Sequence, residues 1–327
     1  MSRKLLNCFV LFTTGIFISY AQVNQHGIPL ITNYTPEEYG ASEQNWAIVQ
    51  DQRGVMYFGN NDGVLEYDGE NWRLIKIPNN TIVRSLAYHD DIIYVSAQDE
   101  FGYLEPNFIG QLQYISLSNL LDSINRLFGD VWKINIKDDE IYFQGGYYKI
   151  FKYHDFAFKK IINLHFSPFF TFYTNDKIYL GTYLKGLMEL KTDSFEVTRG
   201  GDFFIGKNIF SISPLDSNVI IVGTLFNGVF TYNPETGQVS EHFLTSKCNT
   251  YLKQNLIYHG ISLPDRNFVF GTGEKGAVVI YEAGRMKFAL DKKAGLQDEM
   301  IYNIYYDNSG LSGRPIWLAM DLGISKS

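Results

Sequence analysis

Short runs of alternating apolar and polar residues, cut by polar turns, fill the chain from Trp46 onward. Trp46-Ala47-Ile48-Val49 precedes the turn Asp51-Gln52-Arg53-Gly54. Val131 to Ile136 precedes Lys137-Asp138-Asp139-Glu140, and Ile209 to Ser213 precedes Leu215-Asp216-Ser217-Asn218. A period of two predicts strands, and the turns predict hairpins. After each turn comes a second pattern: an apolar pair, a small residue, a polar loop, then a glycine and further apolar residues. It occurs seven times, from Tyr57-Phe58-Gly59-Asn60 to Gly63-Val64-Leu65, through Tyr179-Leu180-Gly181-Thr182 to Gly186-Leu187-Met188, and finally Trp317-Leu318-Ala319-Met320 to Gly323-Ile324. The copies begin at 57, 94, 142, 179, 221, 269 and 317, about 43 residues apart on average, the length of one propeller blade.

Six copies are followed by another turn and a fourth strand, as in Asp68-Gly69-Glu70-Asn71 and then Trp72 to Ile77. A four-stranded sheet that is apolar on both faces cannot stand alone; stacking such sheets radially buries every face. The chain is therefore expected to be all-β, a seven-bladed β-propeller of four-stranded antiparallel blades. The seventh copy reaches Ser327 just after its third strand begins. The segment Leu30 to Tyr34 has the register to supply the missing outer strand, so residues 28–34 are expected to close the ring, with a truncated, open ring as the alternative. The spacing of Leu117, Leu120, Leu121, Ile124, Leu127 and Phe128 predicts one packed helical insertion, which accounts for the long step from 94 to 142.

The first 21 residues read as a signal peptide. Arg3 and Lys4 form a basic start, Leu5 to Ile18 an apolar stretch too short for a spanning helix, and Ser19-Tyr20-Ala21 a small-residue cleavage site before Gln22. Residues 22–327 are then the propeller, exported to the periplasm, and no later run is long enough to cross a membrane as a helix. The whole chain carries a formal charge of −7, which excludes a nucleic-acid partner bound by phosphate neutralisation. Of two cysteines, Cys8 lies in the leader, so Cys248 is left alone and reads as a small buried hydrophobe. The histidines at 26, 89, 154, 165, 242 and 259 show no metal-binding spacing, and no metal or cofactor is expected.

Gly271-Thr272-Gly273-Glu274-Lys275-Gly276-Ala277-Val278 spells the glycine-rich loop of kinases and, in part, the dinucleotide fingerprint. Its glycines coincide with Gly181 and Gly186, and with Gly223 and Gly228, in sister copies, so they belong to the blade hairpin. No nucleophile elbow or kinase lysine accompanies it. Tyr57, Tyr94, Tyr142 and Tyr179 recur at one strand position and read as core.

The last copy, Gly295-Leu296-Gln297-Asp298, Ile301 to Tyr305, Asp307-Asn308-Ser309-Gly310 and Trp317 to Ser325, resembles the repeat of the two-component regulator propeller family. Copies one, four, five and six match at the central glycine; copies two and three depart, with Ser96 and Gln144 in its place. The resemblance implies a periplasmic sensor of a membrane receptor that responds to extracellular ligands, often carbohydrate breakdown products, with further receptor domains or a homodimer partner downstream. It implies a binding module without catalysis; any kinase output would lie in a longer parent protein. A polysaccharide hydrolase or lyase and a protein–protein platform are the alternatives.

Propeller ligands usually meet the face formed by the second-to-third-strand loops and the interblade connections, around the central channel. There the sequence offers Trp46, Asn60, Asp62, Gln98, Glu100, Tyr183, Lys185, Asn227, Glu274, Lys275 and Asp321 as candidate ligand-binding residues. Amides, charges and exposed rings are what a small ligand such as an oligosaccharide would need.

Overall fold

The structure, a computed structural model, describes residues 29–146, 148–310 and 314–327. The leader and its cleavage site lie outside the described residues. Seven four-stranded antiparallel sheets follow one another. Their inner strands are Asn45–Gln50, Val83–His89, Val131–Lys137, Thr171–Thr174, Ile209–Pro214, Ile257–Ser262 and Ile301–Tyr306. Each inner strand lies beside the next, and the last lies beside the first, so the sheets form a closed ring about a channel. We number the blades one to seven from Asn45.

Alternation along the strands builds the core. In blade one, Tyr57 faces blade two, while its neighbour Phe58 faces blade seven. In blade six, Phe268 and Phe270 face blade five and Val269 faces blade seven. The buried residues accordingly form seven clusters, one at each blade–blade interface. Tyr57, Tyr94, Tyr142 and Tyr179 are all buried in these clusters, as their strand position predicts.

The recurring glycine of the second strand has a packing cause. A Cβ on Gly271 would lie 2.7 Å from Ile301 Cγ2 of the next inner strand. Where the repeat departs from glycine, the side chain bonds to that strand instead: the Ser96 hydroxyl donates to Val131 O at 2.8 Å. The following threonine closes the hairpin. Thr272 donates its hydroxyl to Gly276 O at 2.9 Å and accepts from Lys275 N at 2.9 Å. Gly276 itself has φ +66°, and a Cβ there would sit 1.9 Å from Leu290 O of the outer strand. The kinase-like spelling is thus a blade hairpin pressed against its own outer strand. Gly276→Ala is expected to cost roughly 3 kcal/mol or more, readable as a fall in the denaturant midpoint; an unchanged midpoint would mean that the outer strand moves freely.

Inner and second strands are joined at the opposite face by two-residue turns such as Asp90-Asp91 and Asp138-Asp139, all four with φ between 48° and 64°, the geometry of a type I′ hairpin. Closure follows the expected register: Thr32–Tyr34 pairs antiparallel with Ile324–Lys326, Tyr34 opposite Ile324. The open ring is thereby excluded.

The expected helix at 117–128 is absent. Ser118–Leu120 forms a single 3-10 turn and Asp122 to Asn125 a separate turn, because the Ser116 and Ser118 hydroxyls are drawn to Glu100 Oε1, both at 2.8 Å. Leu117, Leu121 and Phe128 anchor the segment in the core, whereas Ile124 is 80% and Leu127 73% exposed. The nine-residue helix of the fold instead runs Ser246–Gln254, where Cys248 and Leu252 supply the buried stripe.

Candidate functional site

All second-to-third-strand loops and interblade connections emerge at one end of the channel, where the inner strands begin. In six blades the inner strand opens with a β-bulge, and the extra residue is Trp46, Arg84, Trp132, Phe210, Tyr258 or Tyr302. A bulge re-aims a side chain out of the ladder. In blade four Phe170, just before the strand, takes this place.

These seven side chains touch in sequence around the channel. The Arg84 guanidinium lies 4.3 Å from the Trp46 ring centroid and 4.7 Å from that of Trp132. Trp132 meets Phe170 at 6.0 Å, Phe170 meets Phe210 at 5.1 Å, and Phe210 meets Tyr258 at 5.1 Å. Tyr258 meets Tyr302 at 5.3 Å, and Tyr302 stacks on Trp46 at 4.1 Å, which closes the circle. All seven are half-buried. Arg84 is held between two indoles and donates Nε to Asp130 Oδ1 at 3.1 Å.

A polar chain supports the seam between blades one and seven. Trp46 Nε1 donates to Asn61 Oδ1 at 2.7 Å, Asn61 donates to Gln44 at 3.0 Å, and Gln44 donates to Asp321. The Tyr302 hydroxyl donates to the same Asp321 oxygen at 2.8 Å. Burial and this carboxylate both push the Tyr302 phenol well above its ordinary range, so it stays a neutral donor.

Of the sequence candidates, Trp46 and Asp321 are thus brought together in the ring and its support. Asp62, Gln98, Tyr183, Lys185, Asn227, Glu274 and Lys275 are exposed on the surrounding loops, with Lys275 Nζ 3.6 Å from Glu299. Two are turned into the protein. Asn60 is buried and donates to Ser42 O and Gln44 O at 2.7 and 3.0 Å. Glu100 is buried and accepts from the hydroxyls of Tyr114, Ser116 and Ser118. The loop tips also expose Leu120, Ile124, Leu127, Leu184, Phe226 and Leu322. Five ring members besides Trp46 and Arg84, and Arg84 itself, were not among the candidates; their common signal is the column at the start of each alternating segment, where rings prevail.

Below the ring, the inner-strand residues Lys133 and His259 face the channel. Both are half-buried against the channel wall. Burial lowers the Lys133 ammonium to about 8. Burial, and then the nearby Lys133 charge, lower His259 to about 3, so its imidazole is neutral.

Elsewhere, a concavity of about 780 Å3 lies on the outer rim against the helix Ser246–Gln254; its Lys247 and Arg285 are exposed to solvent. His89, Asp90 and Asp139 gather on the opposite face with His89 Nε2 3.0 Å from Asp139, as a hydrogen-bonded surface cluster. Cys248 is buried in the blade five–six interface, and burial pushes its thiol up to about 11. It is expected to resist a thiol reagent at pH 8 until the protein unfolds; rapid labelling of the native protein would place it outside the core.

No family model matches this sequence, and no curated protein matches it. Solved structures do resemble it. The extracellular domain of BT4673, described as a hybrid two component system of B. thetaiotaomicron, superposes with TM-score 0.68 at 19% identity, covering 91% of this chain and 39% of that one. That of BT3049, a second such system from the same organism, gives TM-score 0.69 at 16% identity, covering 91% and 41%. Virginiamycin B lyase from Staphylococcus aureus gives 0.66 at 12%, covering 91% and 97%. At these identities the likeness is one of fold, and the chain spans about two fifths of the two extracellular domains. The resemblance read from the seventh repeat has its counterpart in the fold: propellers of two-component systems stand among the structural neighbours. No helix among the described residues is long and apolar enough to cross a membrane.

Proposed function

We propose that this chain is the ligand-sensing propeller of a two-component-type membrane receptor, and that it binds a small extracellular ligand at the channel mouth without chemistry of its own. In this reading residues 1–21 are removed on export and residues 22–327 act in the periplasm, against downstream receptor domains or a homodimer partner. The observation that carries the reading is the closed circle of six aromatic side chains and Arg84. Half-buried rings and a guanidinium grouped at the channel mouth would offer apolar edges to a sugar ring and donors to its hydroxyls. Each member packs between two others, so little ordering cost would attend binding. The two carboxylates that touch it, Asp130 and Asp321, are spent on Arg84 and on Gln44 and Tyr302. Neither is poised as a free acid–base pair.

The test is to incubate the purified protein with a panel of oligosaccharides and polysaccharides. A stabilising oligosaccharide that leaves no new reducing ends is the expected outcome, since binding to the native state raises Tm by mass action. New reducing ends or unsaturated products would make it a hydrolase or lyase instead. The exposed Leu120, Ile124, Leu127, Leu184 and Phe226 favour a second use of the same face, docking of a protein partner. That reading expects partner capture and no stabilisation by any sugar.

A further inference from the structure

Beneath the ring, between blades three and six, the channel wall opens into a cavity of about 160 Å3, room for about five waters. Its polar lining sorts by what each group already does. Asn135 Nδ2 donates to Thr171 Oγ1 at 2.6 Å, and the Thr171 hydroxyl donates to Gln144 Oε1 at 2.9 Å. The Ser211 hydroxyl donates to Gly260 O at 3.2 Å. Two donors are left. His259 Nδ1 accepts from Ile304 N at 3.3 Å, which fixes the proton of the neutral ring on Nε2 as a donor. Lys133 Nζ stands 5.2 Å from the Phe170 ring centroid. Among the described residues no carboxylate pairs with it, and no acidic side chain lines the cavity.

A half-buried ammonium without a counter-charge carries a cost, and so does a half-buried donor with nothing to donate to. We propose that this cavity binds a small carboxylate anion, with Lys133 Nζ as its counter-charge and His259 Nε2–H as a second donor. The burial that keeps His259 neutral also keeps the two from repelling each other. Phe210 belongs to both the cavity lining and the ring, so the anion would lie just under the aromatic circle. The inference rests on the sensor reading in taking the ring face as the way in, and it gives the ligand a charge. The carboxylate could belong to a free small acid or to an acidic sugar.

Calorimetric titration at constant ionic strength distinguishes these, with sodium acetate, sodium D-glucuronate and D-glucose as probes against the wild-type protein and Lys133→Met. At least one carboxylate is expected to bind the wild type, and its affinity is expected to fall about 10- to 100-fold in Lys133→Met, the loss typical of a charged hydrogen bond. Acetate binding as well as glucuronate assigns a free acid; glucuronate binding alone assigns an acidic sugar. Failure of both carboxylates on the wild type, or equal binding to the variant, overturns the site. Stabilisation by neutral oligosaccharides with both carboxylates inert would overturn the anion site and leave the sensor reading standing. Carboxylate binding with no stabilisation by any neutral sugar would keep the anion site and remove a neutral saccharide as the sensed ligand.

Discussion

Lys133→Met is expected to make the protein more stable, by roughly 1–3 kcal/mol and a few degrees of Tm. Methionine keeps the length of the side chain and packs against Phe170, while the ammonium that it removes is half-buried with no carboxylate beside it. The sign follows from the titration. Burial lowers the native group from 10.5 to about 8, so between those values the unfolded chain holds the proton more firmly than the native one. Below about pH 8 the cost of the buried charge is borne in full. As pH rises from 8 towards 10.5 the cost disappears, and the stability gap between variant and wild type should close. Parallel melts at pH 7 and pH 10 measure the gap, and comparing the two proteins cancels the tyrosines that titrate in the same range. A variant less stable than wild type at pH 7 would mean that Lys133 makes compensating contacts. Stability given up at a channel-facing position is what a binding site would require.

Removing the strand Thr32–Tyr34 is expected to have the larger effect: loss of cooperative folding. Three residues pair with Ile324–Lys326 and complete blade seven. The Ser325 hydroxyl donates to Asn33 Oδ1 at 2.6 Å, and Gln297 Nε2 donates to Tyr34 O at 3.0 Å. Tyr34 also stacks on Trp317, with centroids 5.7 Å apart, and meets Tyr67 and Trp72, both at 5.4 Å. Its removal uncovers an aromatic cluster shared by blades one and seven and leaves a free strand edge, an invitation to aggregate. The milder Tyr34→Ala should fold but lose roughly 2–4 kcal/mol. A truncated protein with an unchanged sharp transition would mean that blade seven closes without this strand.

The architecture was legible because every blade repeats the same packing problem. Gly271 must admit Ile301, and Gly276 must admit Leu290 O, so glycine recurs with the blade. The ring was less legible because its physics tolerates variety: tryptophan, arginine, phenylalanine and tyrosine all reach across the channel, and no single type marks the column. The bulge that aims them does not disturb the alternating pattern enough to be read, and Phe170 is offset from the others. Lys133 and His259 look like ordinary polar residues of an alternating strand; only closure of the channel half-buries them. The helical spacing at Leu117 to Phe128 misled because Glu100 recruits the serines at 116 and 118. The helix Ser246–Gln254 escaped because its buried stripe is little more than Cys248 and Leu252.

Ligand is expected to bind at the channel mouth, and the four tryptophans would report where it sits. Trp46 and Trp132 belong to the ring, whereas Trp72 and Trp317 lie in the blade one–seven cluster around Tyr34. Fluorine NMR of protein made with 5-fluorotryptophan, assigned by single Trp→Phe variants, would follow all four during titration with a stabilising oligosaccharide or D-glucuronate. Shifts at Trp46 and Trp132, with Trp72 and Trp317 unmoved, are the expected result. A bound ligand that shifts neither Trp46 nor Trp132 would place its site away from the channel mouth.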